Sequence, residues 1–309
     1  MGKILLVAAI AIAVEILLRL GCGLGQRPLY IADPEIGYLL APNQRLRRFG
    51  NSIIINQYSQ RSELISGERP PDTRRVFLLG DSIANGAWWT DQQQTISALM
   101  ERQLGTVNAS PVQVLNASAN SWGPRNQLAY LKCYGTFQSQ AIVLLLNTDD
   151  LFATAPTSLP VGRDPSYPQR QPAFALAELF GRVFSRPQPI PEMAQVLAEP
   201  GDRVGLNLQA IAQMHQIARQ EKAQFLLALT PLDRQVDGTP PREYEVKARS
   251  RLQDFVNSEG IFYLDFLPLF QQWKGKESLY RDHIHLSPQG NQLVSENLSQ
   301  AVAKLLEDL

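Results

Sequence analysis

Arg74-Arg75-Val76-Phe77-Leu78-Leu79-Gly80-Asp81-Ser82-Ile83-Ala84-Asn85-Gly86 is the stretch whose reading decides the fold. Its apolar run, residues 76–79, has the length and residue types of a short buried strand, and it passes directly into a Gly-Asp-Ser turn. A serine at that point lies at the carboxyl edge of a sheet, where open α/β folds place their ligands. Gly80 allows the chain to turn sharply. A helix beginning shortly after Trp88 or Thr90 would leave unpaired N–H groups near the Ser82 hydroxyl. Gly-Asp-Ser alone does not establish chemistry, because an ordinary Asp-containing turn after a strand reads the same way.

The far end of the chain adds weight. Arg281-Asp282-His283-Ile284-His285-Leu286-Ser287-Pro288-Gln289-Gly290 places an Asp three residues before a His, ahead of a helix that Pro288 opens in its first turn. A serine hydroxyl attacks an ester only if a neutral imidazole takes its proton and a carboxylate fixes the tautomer of that ring. Ser82, His285 and Asp282 supply those roles. The chain has three histidines, and two of them, His283 and His285, lie in this motif. His215 falls in a helical pattern and reads as structural.

Between these ends the pattern alternates. Strands are expected at residues 76–79, 112–115, 142–146, 225–229 and 261–264, and helices at 92–104, 125–134, 206–220, 242–258 and 288–306. Alternation of this kind implies a mainly parallel five-stranded sheet with helices on both faces, a three-layer α/β/α sandwich. With 44% hydrophobic and 19% charged residues in 309, the chain can bury a full core. Its 29 basic residues balance 29 acidic ones, which argues against a nucleic-acid partner. Cys22 and Cys133 imply no disulfide framework, and no Cys or His cluster has metal spacing. Neither metal nor cofactor is expected.

With both ends read, the sequence resembles the SGNH/GDSL hydrolases over residues 72–306. Gly80-Asp81-Ser82-Ile83 matches the first block of that family, and residues 282–290 match the last. Residues 114–123, Val-Leu-Asn-Ala-Ser-Ala-Asn-Ser-Trp-Gly, are similar to the second block, and residues 143–151, Val-Leu-Leu-Leu-Asn-Thr-Asp-Asp-Leu, to the third. The resemblance implies a flavodoxin-like sheet and an acyl ester as substrate. It also implies an oxyanion hole built from the Ser82 N–H, a second-block glycine N–H and a third-block asparagine amide. Here Ser121 stands at the glycine and Asp149 at the asparagine. An ionised carboxylate has no proton to donate and repels an oxyanion. Three arrangements stay open: Asp149 protonated by burial, a neighbour such as Asn147 or Asn120 in its place, or poor turnover. If both are extended, residues 147 and 149 share a strand face, which makes Asn147 a reasonable substitute.

Residues 1–25 read as a membrane anchor, with an apolar run at 4–20 broken by Glu15 and Arg19, four apart and able to pair on one helix face. Charge does not settle its topology: Lys3 precedes the run, and Arg19 and Arg27 follow it. The resemblance implies a catalytic domain outside the cytoplasmic membrane, in the periplasm or at the cell surface. Residues 26–72 read as a connecting segment with short strands at 36–43 and 52–56. Arg45, Arg47 and Arg48 between them read as a solvated loop. The hydrolase domain is then 73–309. Within it, residues 152–202 carry Pro156, Pro160, Pro165, Pro168, Pro172, Pro187, Pro189, Pro191 and Pro200, so an insertion with a short helix at 174–184 is expected, placed to act as a lid or acceptor surface. Trp88, Trp89 and Trp122 follow the first two blocks closely and are candidates to line a sugar or acyl pocket.

The function expected is a membrane-anchored serine esterase acting on a small acyl ester, such as an acetyl ester of a glycan or lipid. Two other readings use the same residues: an O-acetyltransferase of cell-surface polysaccharide, and a non-catalytic binding protein on the same fold.

Overall fold

The computed structural model describes residues 2–184 and 188–307; Pro187 and the last two positions of the 73–309 segment lie outside them. The chain runs α1 (Gly2–Leu17), β1 (Tyr30–Asp33), β2 (Gly37–Leu40), β3 (Gln44–Arg48), β4 (Asn51–Ile55), β5 (Arg74–Gly80), α2 (Ser82–Asn85), α3 (Ile96–Leu104), β6 (Thr106–Val107), β7 (Ser110–Ser118), α4 (Pro124–Tyr134) and β8 (Ala141–Asn147). It continues through α5 (Ala175–Phe184), α6 (Met193–Leu197), α7 (Arg203–Gln220), β9 (Gln224–Thr230), α8 (Asp233–Val236), α9 (Glu243–Glu259), β10 (Phe262–Asp265), α10 (Leu267–Gln271) and α11 (Pro288–Glu307).

The central sheet has the order β10-β9-β8-β5-β7-β6. The five strands expected are all present and parallel, and two-residue β6 adds a short antiparallel edge beside β7. Counting only the parallel strands, the order is 2-1-3-4-5, the flavodoxin-like arrangement, whose direction reverses between β5 and β8. Alternate residues of these strands feed two cores. Phe77, Leu79, Ile142, Leu144 and Leu227 face α4, α7 and α9 through Leu131, Ile211, Met214 and Leu252. Val76, Leu78, Val143, Leu145 and Leu226 face α3, α10 and α11 through Ile96, Met100, Phe270, Val294 and Leu298. Burial on both faces is why these strands are continuous apolar runs without polar alternation.

The helix positions follow from local signals. Thr95 caps α3 through the Ala98 N–H (3.3 Å), Asp202 caps α7 through the Gly205 N–H (3.0 Å), and Pro288 opens α11. The first helix after β5 departs from expectation. It begins at Ser82 itself and lasts one turn, because Asp81 accepts the Ile83 N–H at 2.8 Å and Gly86 ends the turn at φ +71°.

Residues 26–72 contain two antiparallel hairpins, β1–β2 and β3–β4. Their apolar residues Ile36, Leu39, Ile53 and Ile55 join the core on the α4/α7 side, so they pack against the sheet. The arginine cluster is not a solvated loop. It forms β3, with Arg45 and Arg47 exposed and Arg48 buried against Glu178 of α5 (2.6 Å). The Glu178 carboxylate also accepts the Gly25 N–H at 2.7 Å. The insertion thus folds down onto the amino-terminal hairpins.

Candidate active site

Ser82 stands at the carboxyl end of β5, beside the point where the strand order reverses. His285 Nε2 lies 3.0 Å from Ser82 Oγ, and His285 Nδ1 lies 2.8 Å from Asp282 Oδ2. The three residues meet across 203 positions of sequence because the turn before α11 folds back on itself. Tyr280 bridges Leu286, the Arg281 N–H donates to the His285 carbonyl (2.8 Å), and the Tyr280 hydroxyl donates to the Pro231 carbonyl (2.7 Å). Burial pushes the Asp282 carboxyl up, but the His285 N–H, the His285 ring and the Ile284 N–H outweigh it and hold the group below its ordinary value. The edge of Trp89 packs against the imidazole at 4.8 Å between ring centres. Of the other histidines, His283 is exposed with Nδ1 3.8 Å from Asp282, and His215 packs on Phe225 from α7.

Behind Ser82 lies a buried acidic network that spans the switch point. Asp81 Oδ2 accepts the Asn147 side-chain amide at 2.8 Å, and Asp150 accepts the Asn147 N–H at 2.9 Å. Burial raises both carboxyls. The Ile83 N–H, the His285 charge and the Asn147 amide offset part of the rise at Asp81, whereas the Asp81 charge adds to it at Asp150. A carboxyl raised in the folded state favours folding when protonated, and that contribution is lost as pH climbs through the raised value. Replacing Asp150 with Asn keeps an acceptor for the Asn147 N–H and removes the charge. Asp150→Asn is therefore expected to unfold at higher denaturant than the parent at neutral pH. The difference should shrink as pH falls into the ordinary carboxylate range; equal midpoints at all pH values would contradict the assignment.

The third block departs from its expected geometry. The strand ends at Asn147 and residues 148–152 form a 3-10 turn, so residues 147 and 149 do not share an extended face. The Asn147 amide is committed to Asp81, while Asp149 is exposed with its N–H donating to Asn147 Oδ1 at 2.7 Å. Neither residue is among those lining the cavity at Ser82; Ser121 and Asn120 are. Ser121 takes φ +57°, a left-handed backbone that glycine adopts freely and other residues adopt at about 1–2 kcal/mol. Its hydroxyl pairs with Tyr167 Oη at 3.0 Å. Asn120 Oδ1 is buried and has no hydrogen-bond partner among the described residues.

The cavity measures about 590 Å³. Besides Ser82, His285 and Asn85 it is lined by Tyr30, Leu40, Ile53 and Ile55 of the hairpins, by Trp88 and Trp89, and by residues 164–168 and Arg182 of the insertion. Trp122 is absent from the lining; it is buried in the core and donates to the Tyr38 carbonyl at 3.0 Å. Sequence reading missed the hairpin wall, whose only signal was the run Ser52-Ile53-Ile54-Ile55. It also missed Arg61, a buried guanidinium that donates to the carbonyls of Ala87 and Thr90 (both 2.8 Å) and so holds the loop carrying Trp88 and Trp89. Burial lowers the Arg61 pKa to about 10. Among the described residues there is no Cys, His, Asp or Glu cluster suited to a metal ion.

A doubly wound sheet of this order, with a Gly-Asp-Ser turn closing its first strand, defines an SGNH-type ester-hydrolysing enzyme. The chain belongs to the GDSL-like lipase/acylhydrolase family, whose model matches residues 78–293. Solved structures of similar fold include TesA, at 20% identity and TM-score 0.47, covering 75% of this chain and 99% of that one. They also include an acetyl xylan esterase, AlAXEase, at 13% identity and TM-score 0.48, covering 74% and 99%. A third is a lipase/acylhydrolase from Enterococcus faecalis, at 14% identity and TM-score 0.46, covering 75% and 96%. No curated protein sequence matches the chain.

Proposed function

We propose that the chain hydrolyses an acyl ester with Ser82 as nucleophile, His285 as general base and then acid, and Asp282 orienting His285. The observation that carries this reading is the continuous Ser82 Oγ–His285 Nε2–Asp282 path, with contacts of 3.0 and 2.8 Å. The imidazole accepts the hydroxyl proton as Ser82 Oγ bonds to the acyl carbon, and Asp282 stabilises the imidazolium that results. The protonated ring next gives its proton to the leaving alkoxide. Water then loses a proton to His285 as its oxygen bonds to the acyl carbon, and the acid leaves as the bond to Ser82 Oγ breaks and Oγ takes that proton back from His285. The oxyanion faces the N–H groups of Ser82 and Ser121. Asn120, beside them in the cavity lining, takes the third donor position in place of Asn147 and Asp149.

The apolar hairpin wall receives the acyl group, and a cavity of about 590 Å³ has room for more than acetyl. Each methylene buried there contributes about 0.8 kcal/mol, roughly fourfold in kcat/KM. A series of nitrophenyl esters from acetyl upward is therefore expected to climb by about that factor per carbon until the cavity is filled. A series that declines from acetyl would restrict the substrate to acetyl esters. Activity-based labelling with a fluorophosphonate, dependent on both Ser82 and His285, tests the nucleophile itself. Product analysis, free acid against acylated sugar, separates hydrolysis from O-acetyl transfer. The helix over Gly2–Cys22, long and apolar enough to cross a membrane, anchors the enzyme with its folded body outside the cytoplasm.

A further inference from the structure

Helix α5 carries two dissimilar faces. Ala175 and Glu178 are buried, Glu178 pairing with buried Arg48, and the exposed Arg182 on the same side pairs with Glu178 at 3.2 Å and lines the cavity. The other face exposes Phe180 (58%), Val183 (66%) and Phe184 (74%), with Phe174 (61%) just before the helix, and the rings of Phe180 and Phe184 stack at 5.9 Å. Exposed aromatics and aliphatics at this density on one short helix mark a contact surface.

What covers that face follows from where α5 is fastened. Glu15 of α1 accepts the N–H groups of Ala175 (2.8 Å) and Leu176 (3.0 Å), while Arg19 pairs with Glu15 and donates to the Ala173 carbonyl at 3.0 Å. At 1.5 Å per residue, Glu15 lies about 10 Å short of the end of the apolar helix at Cys22. With the 21-residue helix matched to a hydrocarbon core of about 30 Å, this lies about 10 Å below the level where headgroups meet acyl chains, the deep limit for an interfacial helix. The start of α5 is therefore held at that depth, with its apolar face uncovered. The same belt continues in Phe49 at the β3–β4 turn, which packs on Trp88 at 5.2 Å with the Arg182 guanidinium 5.6 Å from both rings. Aromatic rings with arginines among them are the composition of a membrane–water interface.

We infer that α5 is a second membrane element, lying in the interface of the bilayer crossed by α1, and that the cavity it walls takes its ester from an amphiphile held in that bilayer. This rests on the anchored-esterase reading above. One side of α5 contacts lipid while the other side, through Arg182, forms the cavity, so an acyl ester at headgroup depth reaches Ser82 without leaving the membrane surface.

The test uses the full chain with Cys22→Ser and Cys133→Ser, reconstituted in mixed phosphatidylcholine and phosphatidylglycerol vesicles. A polarity-sensitive fluorophore is placed at Val183→Cys, at Phe184→Cys, or at the exposed α11 control Gln300→Cys. Lipids carrying a nitroxide near the headgroup are expected to quench positions 183 and 184 and to leave 300 unaffected. If 183 and 184 match the control while the protein resists alkaline carbonate extraction, the α5 inference is overturned and the anchor stands. If the protein is extracted and unquenched, both fail. Probes at 183 on two copies that cross-link to each other in the vesicle would make α5 a protein contact and overturn the lipid assignment. As a functional readout, Phe180→Ser with Phe184→Ser should slow turnover of a bilayer-embedded fluorogenic ester several-fold while leaving a water-soluble short-chain ester unchanged. Equal slowing of both esters would overturn delivery from the membrane. Fluorophosphonate labelling of Ser82 in every variant reports the esterase reading separately.

Discussion

Ser82→Ala is expected to lower ester turnover by about 10⁵- to 10⁶-fold and to abolish fluorophosphonate labelling, with the thermal midpoint close to that of the parent. The small effect on folding follows from geometry. The Ser82 hydroxyl contributes only its link to His285 and a 3.4 Å contact with Asp81, while the turn is held by the Asp81 cap, which the substitution leaves intact. His285→Ala should cost nearly as much, and the double variant little more than either alone, because the two residues act as one unit. Rates on a short-chain nitrophenyl ester measure this directly. If Ser82→Ala stays within about a hundredfold of the parent, the nucleophile lies elsewhere, since loss of one positioned acid–base group alone accounts for that much.

Glu178→Ala is expected to carry the largest cost to stability, about 3–5 kcal/mol, because it leaves the Arg48 guanidinium buried without its carboxylate. Burial pushes the Glu178 carboxyl up, but Arg48 and the Gly25 N–H outweigh this and hold it below its ordinary value. Its contribution is therefore present above the ordinary carboxylate range and is lost as pH falls through the lowered value. Urea unfolding at neutral pH should show the full loss, and the gap to the parent should narrow in acid. The double replacement Arg48→Met with Glu178→Leu should recover most of the stability, since apolar side chains of similar volume commonly match or exceed a buried ion pair. A single variant that unfolds like the parent would show that the pair does not hold α5 to the hairpins.

The sheet was legible because β5, β8 and β9 are buried on both faces and appear as bare apolar runs, while β7 and the half-exposed edge strand β10 keep shorter apolar stretches; all five strands were placed from these runs. The Ser82, His285 and Asp282 cluster was legible because a nucleophile after a strand and an Asp-x-x-His turn before a proline-started helix are both local patterns. What escaped was set by long-range packing. Nothing local distinguishes Arg48 from Arg45 and Arg47; only Glu178, 130 residues away, makes one of them a core residue. Asp149 was placed by the resemblance and Asn147, as its substitute, by assuming that the strand continued; the side chain of Asn147 itself ends the strand by accepting the Asp149 N–H. The first helix was placed too late because a one-turn helix has no room for a 3.6-residue pattern. The cavity walls come from the two stretches read as connection and insertion, whose apolar residues have no meaning until they meet.

The cavity is assembled from parts that lie far apart in the chain. Its floor, at Ser82 and His285, is fixed by strand β5 and the turn before α11, whereas its walls are hung from residues 27–55 and 164–182. Apart from Trp88 and Trp89, which follow Ser82 in the chain and reach His285, the walls lie on segments separate from the floor, so substitutions in the hairpins or the insertion leave the acid–base geometry in place. Such a scaffold can change which ester it accepts without first losing the ability to cleave one, and exchanging the hairpins together with the insertion, which the buried Arg48–Glu178 pair joins, would transplant selectivity as a cassette.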